Sequence, residues 1–418
     1  MRRIYTLLLY LAAPAVLLRL LWRSRRNPAY RQCIGERFGV SLHFPARPRV
    51  WVHAVSVGEV IASAPLLRRL LSDYPQHALL VTTTTPTGRE QLMRMFGERV
   101  EHVYLPYDLP GAVERFLRRA QPRIFLCMET EIWPNLFAAC ERRNIPIILA
   151  NARMSARSAR AYVKVASFTR QTLRRVSAVA ARDARDAERF RVLGARRVFV
   201  AGNLKHDLDV PATARETGMT LRAAFGANRP VWIAASTHHG EDTIVLDAHR
   251  RLKEHLPDAA LILVPRHPER FDDVAEQCVR AGFSICRRST AALPAKSADV
   301  FLGDTVGELM SFYAAADVAF IGGSLMDIGG HNPLEAVALG LPVLTGPQTY
   351  NFEQIYIDLF NSGAAKKIGN AQALASELKG LLLSSERRSA MGRQGESMLL
   401  RHRGATRHLL ALIADSMP

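Results

Sequence analysis

The strongest constraint on this chain is a repeated alternation of short apolar runs with glycine-marked turns and helical stretches. Residues 318–345 show it most clearly. Val318-Ala319-Phe320-Ile321 and Pro342-Val343-Leu344-Thr345 are continuous apolar runs of the kind that form parallel strands buried on both faces. Between them stand Gly322-Gly323, Gly329-Gly330 and then Asn332-Pro333-Leu334-Glu335, which opens an apolar stretch closed by Gly340. Asn332 at the cap, Pro333 at the first helical position and Glu335 at the third make a helix start that needs no ligand. The same place, where a strand ends and a helix begins, is also where open α/β sheets bind ligands, and both readings stand for this tetrapeptide alone. Upstream, Leu302-Gly303-Asp304-Thr305 closes a strand and Val306-Gly307-Glu308-Leu309 opens the next helix. Two consecutive units offering glycine and glutamate at a helix start imply one nucleotide-sized pocket.

The pattern fills most of the chain in two series. Strands are expected at 49–55, 78–82, 124–128, 145–150 and 198–201. A second set is expected at 231–235, 261–264, 300–302, 318–321 and 342–345. The polar stretch 206–229, with Pro211, Gly218 and Gly226, reads as a linker. The predicted fold class is therefore α/β, with two doubly wound, Rossmann-like domains facing a cleft. The expected divisions are an N-terminal anchor (1–22), a first domain (23–205), the linker, a second domain (230–395) and a helical tail (396–418).

Charge separates the N-terminus from the rest. The net charge is +18, and the first 50 residues hold ten arginines against one acid, Glu36. Residues 4–18 are uncharged and mostly apolar, and Leu20-Leu21-Trp22 extend them beyond Arg19. As a helix, residues 4–22 would span roughly 28 Å, close to the hydrocarbon thickness of a bilayer. Arg19 can snorkel, Trp22 suits the headgroup level, and Pro14 leaves monotopic insertion open beside spanning. Arg23, Arg25 and Arg26 on the C-terminal flank predict a body on the cytoplasmic face of the inner membrane, against anionic lipid. The basic excess tracks this segment and no RNA- or DNA-binding pattern is present, so nucleic acid is not an expected partner. Five cysteines without a C-x-x-C pair argue against a disulfide framework or a zinc site.

The motifs then converge on one family. The chain resembles the bacterial 3-deoxy-D-manno-octulosonic acid (Kdo) transferases, GT-B glycosyltransferases that use CMP-Kdo. The likeness rests on HAVSVGE (53–59), METEIWPN (128–135), NARMSARS (151–158), GNLKHD (202–207), PRHPERF (265–271), GDTVGEL (303–309), GGHNPLE (329–335) and PVLTGP (342–347). It implies transfer of Kdo from CMP-Kdo to the tetra-acylated lipid A precursor, inverting and without a metal or other cofactor. By this resemblance Glu59 is the catalytic base, while Glu129 and Lys205 support the transition state. Arg266, His267, Gly307, Glu308, Leu309, Asn332, Pro333, Leu334 and Glu335 contact CMP. The sequence departs from the family at His206, Ala336 and Gln348, which affects details of the pocket rather than the reaction. Asp207-Leu208-Asp209 matches a D-x-D metal motif by spacing alone, and no catalytic metal is expected from it. A nucleotide-sugar epimerase and a non-catalytic sugar-nucleotide binder are the alternatives of the same architecture.

Overall fold

The computed structural model describes residues 1–25, 28–290 and 293–417 and divides into two compact units, 1–207 with 402–418, and 208–401. Arg26, part of the expected basic flank, lies outside the described residues.

In the first unit the strands are β1 (Arg49–His53), β2 (Ala78–Thr83), β3 (Glu101–Tyr104), β4 (Pro122–Met128), β5 (Ile147–Ala152), β6 (Ala178–Ala181) and β7 (Val198–Val200). They form one parallel sheet in the order β3-β2-β1-β4-β5-β6-β7. Alternate side chains fill two cores. Val50, Val52, Ile124 and Leu126 pack on one face with Leu66 and Leu67, and Trp51, Phe125 and Leu149 pack on the other with Phe116 and Phe137. Because both faces are covered, the strands carry no polar alternation, which is why they read as continuous apolar runs. The order in which strands are added reverses between β1 and β4, so the crevice at their carboxyl ends is a topological switch point.

The second unit repeats the plan with β8 (Val231–Thr237), β9 (Ala260–Pro265), β10 (Ile285–Arg287), β11 (Val300–Leu302), β12 (Val318–Ile321), β13 (Val343–Thr345) and β14 (Ala365–Lys367). Its parallel sheet runs β10-β11-β9-β8-β12-β13-β14, placing the switch point between β8 and β12.

Two expectations about the connections change. Residues 206–229 are not an extended linker: they contain the helix Ala212–Phe225, whose Leu221 and Phe225 are buried in the core of the second unit. Gly218 lets this helix pack closely, since an added Cβ would lie 2.3 Å from the Ala314 side chain. The tail is divided as well. The helix Ser385–His402 runs to the boundary at residue 401, whereas Ala405–Ser416 belongs to the first unit and buries Leu409 and Ile413 there. Asp207 fixes the start of that last helix: its carboxylate accepts from the Gly404 N–H at 2.7 Å and from the Thr406 N–H. Asp207 thus serves as a helix cap, which accounts for it without a metal.

The N-terminal segment is the helix Arg2–Ser24, long and apolar enough to cross a membrane. Tyr5 donates to Asp108 at 3.0 Å, Thr6 donates to Asn135 at 3.1 Å, and Leu20 and Ser24 are buried. Ile4, Leu7, Leu8, Leu11, Leu18 and Trp22 are exposed on the remaining surface of the helix.

Candidate active site

The polar residues singled out in the first unit gather at the carboxyl ends of its strands. β1 ends at His53, and Ser56 caps the helix Val57–Asp73, which places Glu59 in the first turn. The Glu59 carboxylate accepts from the Val55 N–H at 2.9 Å and lies 3.4 Å from the Ser56 hydroxyl. It therefore does the work of a helix-start glutamate. Its environment adds something that capping does not require. Burial raises its pKa from 4.5 to about 7, against the Val55 hydrogen bond, with the nearby charges of Glu129 and Glu131 raising it further. A carboxyl group titrating near neutrality is suited to accept a proton and to release it again.

Glu129 follows β4 with φ +56°, a left-handed conformation that a glutamate adopts only when its surroundings impose it. Its N–H is held by the Ala150 carbonyl at 2.9 Å. Glu131, two residues on, is raised to about 6, mainly by burial and in part by Glu129. Lys205 lies on the short 3₁₀ turn Leu204–His206 after β7. Its pKa is lowered, first by burial, while Glu129 and Glu59 act in the opposite direction. Lys205 thus sits within the electrostatic reach of both glutamates, so the three predicted catalytic residues share one site.

Asn151 belongs to the same site and was not among the predicted site residues. It has φ +52°, its Oδ1 accepts from the Leu204 N–H at 3.1 Å, and its buried Nδ2 has no partner among the described residues. The signals in the sequence were its place at the end of a strand and at the head of the NARMSARS motif. His53 and His206 are likewise buried, with both pushed down to about 4 by burial.

In the second unit the predicted ligand-contacting residues line the ends of β9, β11 and β12. Arg266 and His267 follow β9, with the Arg266 N–H donating to the Thr237 carbonyl at 3.0 Å. Gly307 has φ +96°, and Glu308 caps the short helix Leu309–Ala314. Glu308 is paired with Arg288 at 2.6 Å and accepts from the Thr305 hydroxyl at 2.5 Å, and the Arg288 hydrogen bond holds its pKa down.

The helix after β12 is shorter than its sequence pattern predicts, covering Leu334–Val337 only. Pro333 rather than Asn332 occupies the cap position, and the Asn332 side chain accepts from the Leu334 N–H at 3.2 Å. Glu335 makes no side-chain hydrogen bond among the described residues. Burial raises it from 4.5 to about 7, with Arg266 acting against the rise. The capping explanation therefore accounts for Asn332 and leaves the Glu335 carboxylate unexplained. Thr237 is committed elsewhere, donating to the buried Asp242 at 2.7 Å. Ser236 has φ +58°, and an added Cβ on Gly322 would lie 2.6 Å from its carbonyl oxygen. The turns after β8 and β12 therefore touch through a glycine.

Comparison with known proteins decides what these arrangements belong to. Residues 32–208 match the family model described as 3-deoxy-D-manno-octulosonic-acid transferase, and residues 229–398 match that of glycosyl transferases group 1. The chain is 43% identical to the 3-deoxy-D-manno-octulosonic acid transferase of Haemophilus influenzae, over 99% of this chain and 98% of that one. The chain belongs to the Kdo transferase family. The Bordetella pertussis enzyme of the same description is 39% identical over 99% of both chains. Among solved structures, UDP-GlcNAc 2-epimerase from Neisseria meningitidis aligns with a TM-score of 0.60 at 15% identity, covering 88% of this chain and 100% of the other. A glycosyltransferase from Rickettsia africae gives 0.56 at 11%, covering 89% and 99%. At such identities these two show the fold alone, two Rossmann-like domains of the GT-B kind. As a Kdo transferase, the protein is a glycosyltransferase.

Proposed function

We propose that this Kdo transferase moves Kdo from CMP-Kdo to a hydroxyl of the tetra-acylated lipid A precursor in one inverting displacement that uses no metal. The acceptor oxygen attacks the anomeric carbon of Kdo while the bond from that carbon to the phosphate oxygen breaks. CMP leaves with the bonding pair, and Glu59 takes the hydroxyl proton. A single attack from the side opposite the leaving group inverts the anomeric centre. The observation that carries this reading is Glu59 itself, a helix-start carboxylate whose burial brings its pKa to about 7. Lys205 is placed to balance charge developing on the phosphate or on the Kdo carboxylate, with Glu129 ordering the site. In the second unit, Glu335 is the proposed acceptor for ribose hydroxyls. Arg266, His267, Gly307, Glu308, Leu309, Asn332, Pro333 and Leu334 form the rest of the CMP site. Glu308 would reach the nucleotide by exchanging its contact with Arg288, or would hold the site while remaining paired.

The helix Arg2–Ser24 supports association with a membrane, since its exposed residues are mainly large and apolar and arginines flank it. We place the protein on the cytoplasmic face of the inner membrane, where an anionic lipid acceptor would be met. Incubation with CMP-Kdo and the tetra-acylated precursor tests the reaction. Release of CMP with a lipid heavier by Kdo, undiminished by EDTA, is expected. An unchanged lipid would contradict the acceptor, and loss of transfer in EDTA would contradict the metal-free mechanism.

A further inference from the structure

Two histidines meet at the switch point of the second unit. His238 directly follows β8, and His331 lies in the loop after β12, 93 residues away. Their Nε2 atoms are 2.8 Å apart. The rings are nearly parallel at 6°, with centroids 5.0 Å apart. A ring nitrogen lies a little over 1 Å from its own centroid, so these values describe two rings meeting edge to edge through an N–H···N bond. Such a bond needs one protonated and one bare Nε2. The pair can therefore carry one positive charge, shared between the rings, and cannot carry two while the bond lasts.

The backbone around the pair is built for close approach. Gly323 has φ +68°, and an added Cβ would lie 2.9 Å from the His331 ring. The Gly330 N–H donates to the Gly323 carbonyl at 2.7 Å, and Tyr356 donates to the His331 carbonyl at 3.0 Å. The fully buried Glu241 joins the two turns. Its carboxylate accepts from the N–H groups of His238 (3.0 Å), Gly323 (2.6 Å), Ser324 (2.9 Å) and Leu325 (2.8 Å). Those four bonds hold both rings in register across the crevice.

The charged surroundings favour an anion. Arg266, His267 and Arg270 face the pair, His267 edge-on to His238 at 5.2 Å. Arg270 is committed to Asp242 and to the Thr237 carbonyl. Glu241 is the acidic neighbour, and its charge is spread over four N–H groups. Burial, and after it the charge of Arg266, holds His331 down at about 4, and burial also lowers His238. An anion beside the rings would reverse that balance by stabilising the protonated form.

We infer that the His238–His331 pair is a binding element for the phosphodiester of the sugar-nucleotide donor and takes up one proton as that anion enters. This rests on the CMP-Kdo reading of the second unit. The pair acts on donor binding rather than on the displacement, so its signature is a pH-dependent affinity. Because the bound pair holds the proton more tightly than the free pair, the donor binds more tightly as pH falls. The phosphodiester and the Kdo carboxylate stay ionised from pH 6 to 9, so any titration in that range belongs to the protein.

The test is calorimetric titration of the full chain in detergent with CMP-Kdo and no acceptor, from pH 6 to 9. For the wild type, Kd should rise by up to about tenfold per pH unit and then level above the pKa of the bound pair. His331→Gln and His238→Gln should each weaken binding about tenfold at pH 6 and flatten the profile. Glu335→Gln should keep the slope, which separates the pair from that titrating carboxylate. Cytidine, which lacks the phosphate, should bind Glu335→Gln with no pH dependence, because that variant also lacks the titrating ribose acceptor. A wild-type Kd that is flat with pH, or a slope that survives in both histidine variants, would overturn this inference alone. Absence of saturable CMP-Kdo binding by the wild type would overturn the donor reading, and this inference with it.

Discussion

At the scale of single residues, two half-buried glutamates are raised toward neutrality for the same physical reason and carry different roles. Glu59, raised to about 7, must be ionised to take a proton. Single-turnover transfer should therefore rise about tenfold per pH unit below 7 and level above it, measured at saturating donor with the acceptor in micelles. A rate independent of pH between 5.5 and 8 would contradict the base assignment. For Glu335 the question is stability. Its folded-state pKa is above its unfolded value, so the folded protein binds the proton more tightly. The associated stability is complete below pH 4.5 and is lost as pH rises through 7. Glu335→Ala removes that loss and breaks no cap, because Asn332 holds the Leu334 N–H. The variant should melt no lower than wild type at pH 8, while CMP affinity falls tenfold or more, about 1.4 kcal/mol. A lower melting temperature with unchanged affinity would restore the helix-start reading. The sequence displayed both carboxylates at strand-to-helix turns. It could not display the pairing of His238 with His331, because nothing local to either residue marks a contact made across 93 positions.

Among the elements, most strands buried on both faces were legible, the alanine-rich β6 excepted, and of the edge strands only β7 was. β1, β4, β8 and β12 carry unbroken apolar runs, whereas β3 begins Glu101-His102 and β14 reads Ala365-Lys366-Lys367. Edge positions have one neighbour and accept polar residues, so their periodicity is weak. The helix Ala212–Phe225 escaped for another reason. Its buried face is Ala214, Gly218, Leu221 and Phe225, and the small residues that permit close packing contribute little hydrophobic signal. Asp207 illustrates a motif matched by spacing and explained by capping. Asp207→Ala should cost about 0.5–2 kcal/mol of stability through the helix Ala405–Ser416. Thermal melting should show that loss, and added manganese should not restore it. A variant rescued by manganese would point back to a metal site.

For the whole molecule, acceptor chemistry is proposed for the first unit, donor binding for the second and lipid contact for the N-terminal helix. Deleting residues 1–22 should weaken sedimentation with anionic vesicles and leave CMP-Kdo affinity within about twofold. Residual vesicle binding is expected, because Arg23, Arg25, Arg26 and Arg31 remain, each contributing about 1 kcal/mol near an anionic surface. Complete loss of CMP-Kdo binding by a folded truncation would contradict that separation. The division between the two units is tested most directly by measuring single-turnover Kdo transfer and CMP-Kdo affinity together in wild type and Glu59→Gln. Glutamine keeps an oxygen that can accept from the Val55 N–H but cannot take the acceptor's proton. Transfer should fall by about 10²–10⁴ while donor affinity is retained. A folded Glu59→Gln protein that transfers Kdo at a near-normal rate would contradict the central claim.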